Sequence, residues 1–181
     1  MKQIVPGVKL IVGLGNPDPE YGSTYHNVGH QFVSFLIGSQ ALCAPESSSP
    51  VCRMKLLNTD AYMNESGACV AEALKKYGLL PAEALVVHDD SDIAVGAWKF
   101  SHARNSGGHR GVQNVIDHLG TNAFWRLRIG IRPASAFPPV SGEPAKKWVK
   151  AEKFVLKKTT AGDRKALDAA FAEALAALGG A

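Results

Sequence analysis

The sequence lacks several features that define whole classes of protein. It has no run of about 18 apolar residues, so no transmembrane helix is expected. The first residues show no signal-peptide cleavage pattern, and a cytoplasmic location is therefore expected. Cys43, Cys52 and Cys69 include no CxxC pair, which predicts free thiols and no structural zinc site. The GxSxG elbow that carries the nucleophile of many serine hydrolases is also missing.

Length and charge indicate one domain with a polyanionic partner. With 181 residues, 46% of them hydrophobic, the chain can bury one substantial core, and a single domain is predicted over residues 1–181. Residues 1–95 carry 6 Lys and Arg against 10 Asp and Glu, whereas residues 96–181 carry 14 against 6. An uncompensated basic half favours binding to phosphates, as in a nucleic acid. A solvated cationic surface is the alternative.

Strands and helices are predicted to alternate along most of the chain. Helices are expected around Val28, Val70 and Val112, the last two ending at Gly78 and Gly120, with a C-terminal helix at about 161–178. A loop at about 133–146 is long enough to move or bind. The predicted fold class is α/β, a three-layer α/β/α domain with a twisted, mostly parallel (mixed) central sheet. Its strands are predicted at residues 10–14, 51–57, 85–88, 97–101 and 127–131.

Five short motifs place polar residues where strands end or helices begin. In chain order they read GLGNP at 13–17, HNVG at 26–29, MNESG at 63–67, HDDSD at 88–92 and GGHRG at 107–111. This ordered set resembles the bacterial-type peptidyl-tRNA hydrolases, over residues from about 9 to about 156. The resemblance implies a peptidyl-tRNA hydrolase-like fold and hydrolysis of the ester that joins a peptide to the 3′ end of tRNA, which recycles tRNA in translation. It also implies a monomer that needs neither a cofactor nor a catalytic metal.

The resemblance assigns the catalytic pair. Imidazole is substantially neutral near pH 7 and can accept a proton from water, so His26 is the candidate general base. Asp89 matches the family carboxylate that hydrogen-bonds this histidine, which fixes the tautomer and stabilises the imidazolium. Asp90 and Asp92 imitate a metal cluster in the sequence, but the family uses no catalytic metal. His88, next to Asp89 in an extended strand, is expected to point to the opposite face and to be structural.

Two asparagines match the family residues that line the substrate site. The amides of Asn16 and Asn64 can donate to a carbonyl oxygen and accept from a peptide N–H without adding charge. This suits recognition of a peptide backbone whatever its side chains. Met63 is expected to supply an adaptable apolar wall. Tyr21 is expected to pack beside the site, with core filling as an equal alternative.

The sequence departs from the family pattern at Arg110, where the family has an asparagine after the histidine that matches His109. An arginine cannot accept a hydrogen bond but can pair with a phosphate, so we expect Arg110 to contact the tRNA backbone. His109 keeps its expected role beside the cleft. Asn114, one helical turn further on, is a candidate replacement for the missing amide.

A second departure concerns the basic residues that bind a tRNA phosphate. Ser101 stands where the family commonly has a lysine, whereas the arginine of that pair is present as Arg128. Lys99 and Arg104 are candidate substitutes for the lysine. The expected partner is peptidyl-tRNA, contacted at its acceptor stem and 3′ end, and no membrane partner is expected.

Three other functions compete with the hydrolase. An RNA-binding protein without turnover would keep the fold, and Arg110 favours it, but such a protein needs neither His26 nor Asp89. A dinucleotide-binding domain would require a third glycine where Asp18 stands. A general carboxylesterase would not explain the basic half of the chain.

Overall fold

The structure is a computed structural model that describes residues 5–40, 49–133 and 150–179. Its centre is a five-stranded sheet with the order β2-β1-β3-β5-β4. The strands β2, β1, β3 and β5 run parallel, and β4 pairs antiparallel with β5, so the mixed, mostly parallel sheet is confirmed. The strands are β1 (Leu10–Gly13), β2 (Lys55–Asn58), β3 (Ala84–Ala94), β4 (Trp98–His102) and β5 (Trp125–Arg132).

Two helices cover each face of the sheet. On one face, α1 (Val28–Gln40) and α4 (Ala161–Ala177) bury Phe32 and Phe171 against odd-numbered strand residues such as Leu85. On the other, α2 (Ser66–Tyr77) and α3 (Arg110–Leu119) pack on even-numbered residues. Each fully buried large apolar side chain contributes about 1.5–3 kcal/mol relative to exposure. No helix in the described ranges is both long and apolar enough to cross a membrane.

The ends of the helices follow the sequence signals closely. Gly78 and Gly120 adopt the left-handed conformation directly after α2 and α3, with φ of 63° and 64°. Glycine accepts this conformation without the steric cost that a Cβ imposes. The side chain of Thr160 accepts a hydrogen bond from the Asp163 N–H and thereby caps α4.

Two strand boundaries differ from the sequence-based prediction. Residues 51–57 were predicted as one strand, but Pro50–Arg53 forms a 3₁₀ turn and β2 begins only at Lys55. Pro50 fixes the φ angle at the first position of this turn. Strand β3 was predicted to end at residue 88, yet it continues to Ala94 because β5 pairs with it beyond Asp89.

The expectation of free thiols is wrong for one cysteine. Cys52 is disulfide-bonded, whereas Cys69 is free. Cys43 lies outside the described residues, as does all but the first residue of the predicted loop at 133–146.

Candidate active site

Strands β1 and β2 end level with Val87 of β3, and the polar motifs come together at this edge of the sheet. Gly13, the last residue of β1, pairs with Val87, so Asp89 lies just beyond the end of β1. His26 stands in a 3₁₀ turn, Tyr25–Asn27, that leads directly into α1. Open α/β sheets place their sites at this carboxyl edge because the helices diverge from the strands there.

The Asp89 carboxylate holds two imidazoles. His26 Nδ1 and His109 Nε2 both lie 2.8 Å from Asp89 Oδ1. His109 Nδ1 accepts a hydrogen bond from the Val112 N–H, so the ring proton is on Nε2 and is donated to Asp89. His26 donates from Nδ1, which leaves the lone pair of its Nε2 available. The backbone N–H of His26 donates to the Val155 carbonyl at 2.8 Å and fixes the turn that carries the ring.

Burial and charge set the protonation of this group. Burial raises the pKa of Asp89, but the two histidines outweigh it and hold that pKa well below its usual range. Burial lowers the pKa of His26, whereas the Asp89 carboxylate raises it, and the net result is a pKa above 6.5. Arg110 acts against Asp89 because its positive charge lowers the pKa of His26. The site therefore holds an ionised carboxylate that favours the protonated form of the neighbouring imidazole.

The same three side chains offer a set of possible metal ligands. One ligand atom from each of His26, Asp89 and His109 lies within 4.8 Å of the others. However, both ring nitrogens that face Asp89 carry the protons of its hydrogen bonds, and a metal ligand must be deprotonated. In this arrangement the two histidines are hydrogen-bonded to the Asp89 carboxylate. Removal of divalent cations with a chelator tests whether the three residues bind a metal.

Asn16 fixes the turns around the site. Its Oδ1 accepts from the Met63 N–H at 2.9 Å, and its backbone N–H donates to Asn27 Oδ1 at 2.9 Å. Asn27 Nδ2 in turn donates to the Asn16 carbonyl at 2.8 Å. Asn16 and Met63 are buried, whereas Asn64 is exposed in the 3₁₀ turn Met63–Glu65 that precedes α2. Sequence reasoning gave no role to Asn27, although its place directly after His26 was a signal.

Six predicted site residues do not line the cleft beside His26, namely Asn16, Tyr21, Met63, Asn64, Lys99 and Asn114. Asn114 Oδ1 accepts from the Gly67 N–H at 2.7 Å and so caps the first turn of α2. Tyr21 is half-buried, and a hydrogen bond with Glu20 raises the pKa of its phenol. Lys99 is exposed on β4, directly opposite Arg128 in the sheet.

A cleft of about 730 Å³ opens beside the histidines. His26, Asp89, His109 and Arg110 line one part of it. The rest has several cationic side chains, among them the predicted Arg104 and Arg128, and Arg128 Nε donates to Asp90 Oδ2 at 2.6 Å. Sequence reasoning missed many of the other lining residues, among them Arg126 and Arg132, although basic residues at even positions of β5 were a signal. His88 of β3 was expected to be structural, yet it also lines this cleft.

An oriented imidazole beside a carboxylate, in a cationic cleft of an α/β fold, suits a hydrolytic enzyme that acts on a polyanionic substrate. A model of the family described as "Peptidyl-tRNA hydrolase" matches residues 10–180. The chain belongs to the peptidyl-tRNA hydrolase family.

Relatives and solved structures agree with this assignment. The chain is 34% identical over 182 residues to the peptidyl-tRNA hydrolase of Cupriavidus necator, covering 95% of this chain and 90% of that protein. It is 40% identical over 133 residues to that of Moorella thermoacetica, covering 68% and 70%. A crystal structure of peptidyl-tRNA hydrolase from Acinetobacter baumannii superposes with a TM-score of 0.73 at 31% identity, covering 94% of this chain and 86% of that one.

Proposed function

We propose that this peptidyl-tRNA hydrolase cleaves its ester by attack of a water molecule that His26 activates. The observation that carries the proposal is the hydrogen bond of His26 Nδ1 to Asp89, which leaves Nε2 as the proton acceptor. Water attacks the ester carbonyl carbon while its proton moves to His26 Nε2. The tetrahedral intermediate then breaks its bond to the ribose oxygen, which takes the proton back from His26. The products are a peptide carboxylic acid and tRNA with a free 3′ hydroxyl.

Asp89 and His109 support this proton transfer. The carboxylate stabilises the imidazolium that forms on His26, because a buried negative charge next to a new positive charge lowers its energy. His109 holds Asp89 Oδ1 from the other side and limits the rotation of the carboxylate. His109 is therefore a positioning residue in this proposal.

Other side chains around the site bind the substrate in the proposal. In the proposal, the amides of Asn16 and Asn64 recognise the peptide backbone outside the cationic cleft, where Met63 contacts Asn16. Met63 and Tyr21 are proposed to provide the apolar surroundings of the peptide. Arg110, exposed at the start of α3 and close enough to His26 to influence its pKa, pairs with a phosphate of the tRNA. Arg104, Arg128 and the exposed Lys99 extend the cationic surface toward the acceptor stem.

The substrate also suggests the setting in which the protein works. Peptidyl-tRNA arises in translation, so we assign the protein to the cytoplasm. A family match over residues 10–180 and one continuous sheet support a single domain. The proposed monomer rests on the family resemblance alone.

Cleavage of N-acetyl-aminoacyl-tRNA in H₂¹⁸O, with and without EDTA, tests the reaction. We expect release of the N-acetylated amino acid with one ¹⁸O atom in its carboxylate, at the same rate in EDTA. Label in the tRNA would contradict attack at the carbonyl carbon. Loss of cleavage in EDTA, restored by a divalent cation, would show that the His26, Asp89 and His109 group holds a metal instead.

A further inference from the structure

Polar atoms without hydrogen-bond partners cluster on the sheet beside the active site. Across the described ranges, five buried side-chain atoms lack such a partner, and four of them belong to His88, Ser101 and Arg126. Buried polar groups in folded proteins are nearly always hydrogen-bonded, so a cluster of four requires an explanation. We call these three residues the Arg126 corner.

The sheet register places the three residues on one face. Ser101 of β4 stands directly opposite Arg126 of β5, and cross-strand partners point to the same side. His88 of β3 stands opposite Arg128, two residues from Arg126, and is therefore on the same face. His88 and Arg126 both line the cleft that contains His26.

Arg126 offers a pair of donors suited to an anion. Its side chain is buried, with 2% exposure, and Nη1 donates to the Asn105 carbonyl at 2.9 Å. The atoms left over are Nε and Nη2, whose N–H bonds run parallel along one edge of the guanidinium. Burial lowers the pKa of Arg126 to about 10, helped by the charges of Arg104 and Arg128, so the group stays cationic at neutral pH. No carboxylate among the described residues pairs with it, although Arg128 has Asp90.

His88 adds an acceptor to these donors. Its Nδ1 lies 2.7 Å from the Asp89 carbonyl, so the ring proton is on Nδ1 and Nε2 carries a lone pair. Burial lowers the pKa of His88 to about 3, which keeps the ring neutral. A ligand for this corner therefore needs an anionic oxygen pair for Arg126 and a hydroxyl donor for His88. A ribonucleotide has both, in its phosphate and its 2′ hydroxyl.

The corner is connected to the catalytic base by adjacent rings. The centroids of His26 and His109 are 5.3 Å apart, and those of His109 and His88 are 4.8 Å apart. We propose that the Arg126 corner binds a phosphodiester of the single-stranded 3′ end of the RNA substrate, with a ribose hydroxyl donating to His88 Nε2. This binding holds the last nucleotides in the cleft that contains His26. The inference rests on the proposed function because it takes the bound RNA to be the substrate.

Binding of the dinucleotide CpA tests the proposal directly. CpA carries one internal phosphodiester and no terminal phosphate, and its methylphosphonate analogue has the same shape without the charge. We expect wild-type protein to bind CpA about 10-fold more tightly than the analogue, because a charge-assisted bidentate contact is lost. In Arg126→Gln the two affinities should become equal, and Arg126→Lys should restore part of the difference. Arg53→Gln, an exposed arginine away from the cleft, is the matched control and should behave as wild type.

Cleavage kinetics give a second readout. With N-acetyl-aminoacyl-tRNA, Arg126→Gln should raise KM about 10-fold and leave kcat within about 3-fold, since the contact concerns binding. The same increase should occur with tRNA that lacks its 5′ phosphate. If the increase disappears with that tRNA, the corner binds the 5′ end and the proposal is wrong.

Two further outcomes would overturn the inference. The first is that wild-type protein binds CpA and the methylphosphonate analogue with equal affinity. The second is that a folded Arg126→Gln variant still binds CpA more tightly than the analogue, by the same factor as wild type. If Arg126→Gln does not fold, the NMR signal of the Arg126 Nε–H group in wild-type protein tests the proposal instead. This signal should shift when CpA is added and should not shift when the analogue is added. None of these binding results depends on His26. The proposed catalytic role of His26 can therefore fail while the proposed RNA binding by the Arg126 corner stands.

Discussion

At the scale of single residues, one carboxylate sets the charge state of the site. Asp89 raises the pKa of His26 above 6.5, and the base must be neutral to accept a proton. Activity should therefore fall as the pH decreases through that pKa. Asp89→Asn removes the negative charge that raises the pKa of His26, so the midpoint of the acidic limb of kcat/KM should move to lower pH. The pH profile of kcat/KM in both proteins is the measurement.

The same substitution should also reduce the rate at the plateau. An amide cannot stabilise the imidazolium as a carboxylate does, and we expect kcat to fall by about 10²–10⁴. Asp168→Asn removes an exposed carboxylate on α4 and serves as the control. A midpoint that stays in place or moves to higher pH in Asp89→Asn would contradict the assigned electrostatic role.

Residue patterns predicted part of the candidate site and could not predict the rest. The motifs singled out His26, Asp89 and His109, and the structure brings these three into contact. Their convergence on one oxygen could not be predicted, because it depends on how α1 and α3 pack. Arg126 was missed because the alternation of basic and apolar residues in β5 does not show which part of that face borders a cleft.

At the scale of elements, the start of α1 holds the catalytic base against the sheet. A Cβ at Gly29 would lie 2.5 Å from the carbonyl oxygens of Leu14 and Val87. Backbone atoms cannot yield at that distance, so Gly29→Ala should push α1 away from β1 and β3. We expect a loss of about 1–3 kcal/mol in the free energy of unfolding, together with a lower kcat, because His26 shifts from Asp89. Urea unfolding and steady-state kinetics measure both.

Gly38 provides a control within the same helix. A Cβ there meets nothing within 4 Å, so Gly38→Ala should leave kcat unchanged and stabilise α1 by about 0.5–1 kcal/mol. If Gly29→Ala and Gly38→Ala have the same effects on the free energy of unfolding and on kcat, the close approach of α1 to the strands does not position the base.

Strand boundaries show where sequence periodicity succeeds and where it fails. The predicted strands at 97–101 and 127–131 overlap β4 and β5 closely because apolar side chains define their buried faces. The strand at 85–88 was predicted too short because its apolar pattern ends there. Pairing with β5 carries β3 through Asp89 and Asp90, and such pairing between distant segments is not encoded locally.

At the scale of the whole molecule, the basic C-terminal half should make substrate binding sensitive to salt. The log of KM for N-acetyl-aminoacyl-tRNA should rise with the log of salt concentration, by about 0.7–0.9 per neutralised phosphate. The value of kcat should change little. An N-acetyl-aminoacyl ester of adenosine, which has no phosphate, should show a KM that is independent of salt. A KM for the tRNA substrate that is equally insensitive would contradict phosphate binding by the cleft.

Two histidines with lowered pKa values, the half-buried His30 and the buried His88, should limit the stability of the fold in acid. Burial lowers the pKa of His30 to about 4 and that of His88 to about 3. An unfolded histidine has a pKa of about 6.5, so below that pH the unfolded chain binds protons that the folded protein does not. Each residue should then reduce the free energy of unfolding by about 1.4 kcal/mol per pH unit until its folded pKa is reached. His26 has a raised pKa in the folded protein, so its protonation increases the free energy of unfolding as the pH falls through that pKa.

Urea unfolding at pH 7 and pH 5 measures this dependence. The free energy of unfolding should be lower at pH 5, and His30→Gln should reduce the difference between the two values. A difference that His30→Gln leaves unchanged would show that His30 does not remain neutral in the folded protein.

The central claim is that His26 activates the attacking water, and single-turnover cleavage of N-acetyl-aminoacyl-tRNA by His26→Ala tests it most directly. His118→Ala, which removes an exposed histidine of α3, is the control. We predict that His26→Ala loses at least about 10³-fold in rate while still binding tRNA, because no other group takes the proton. A rate within about 10-fold of wild type in a folded, tRNA-binding His26→Ala would contradict the account.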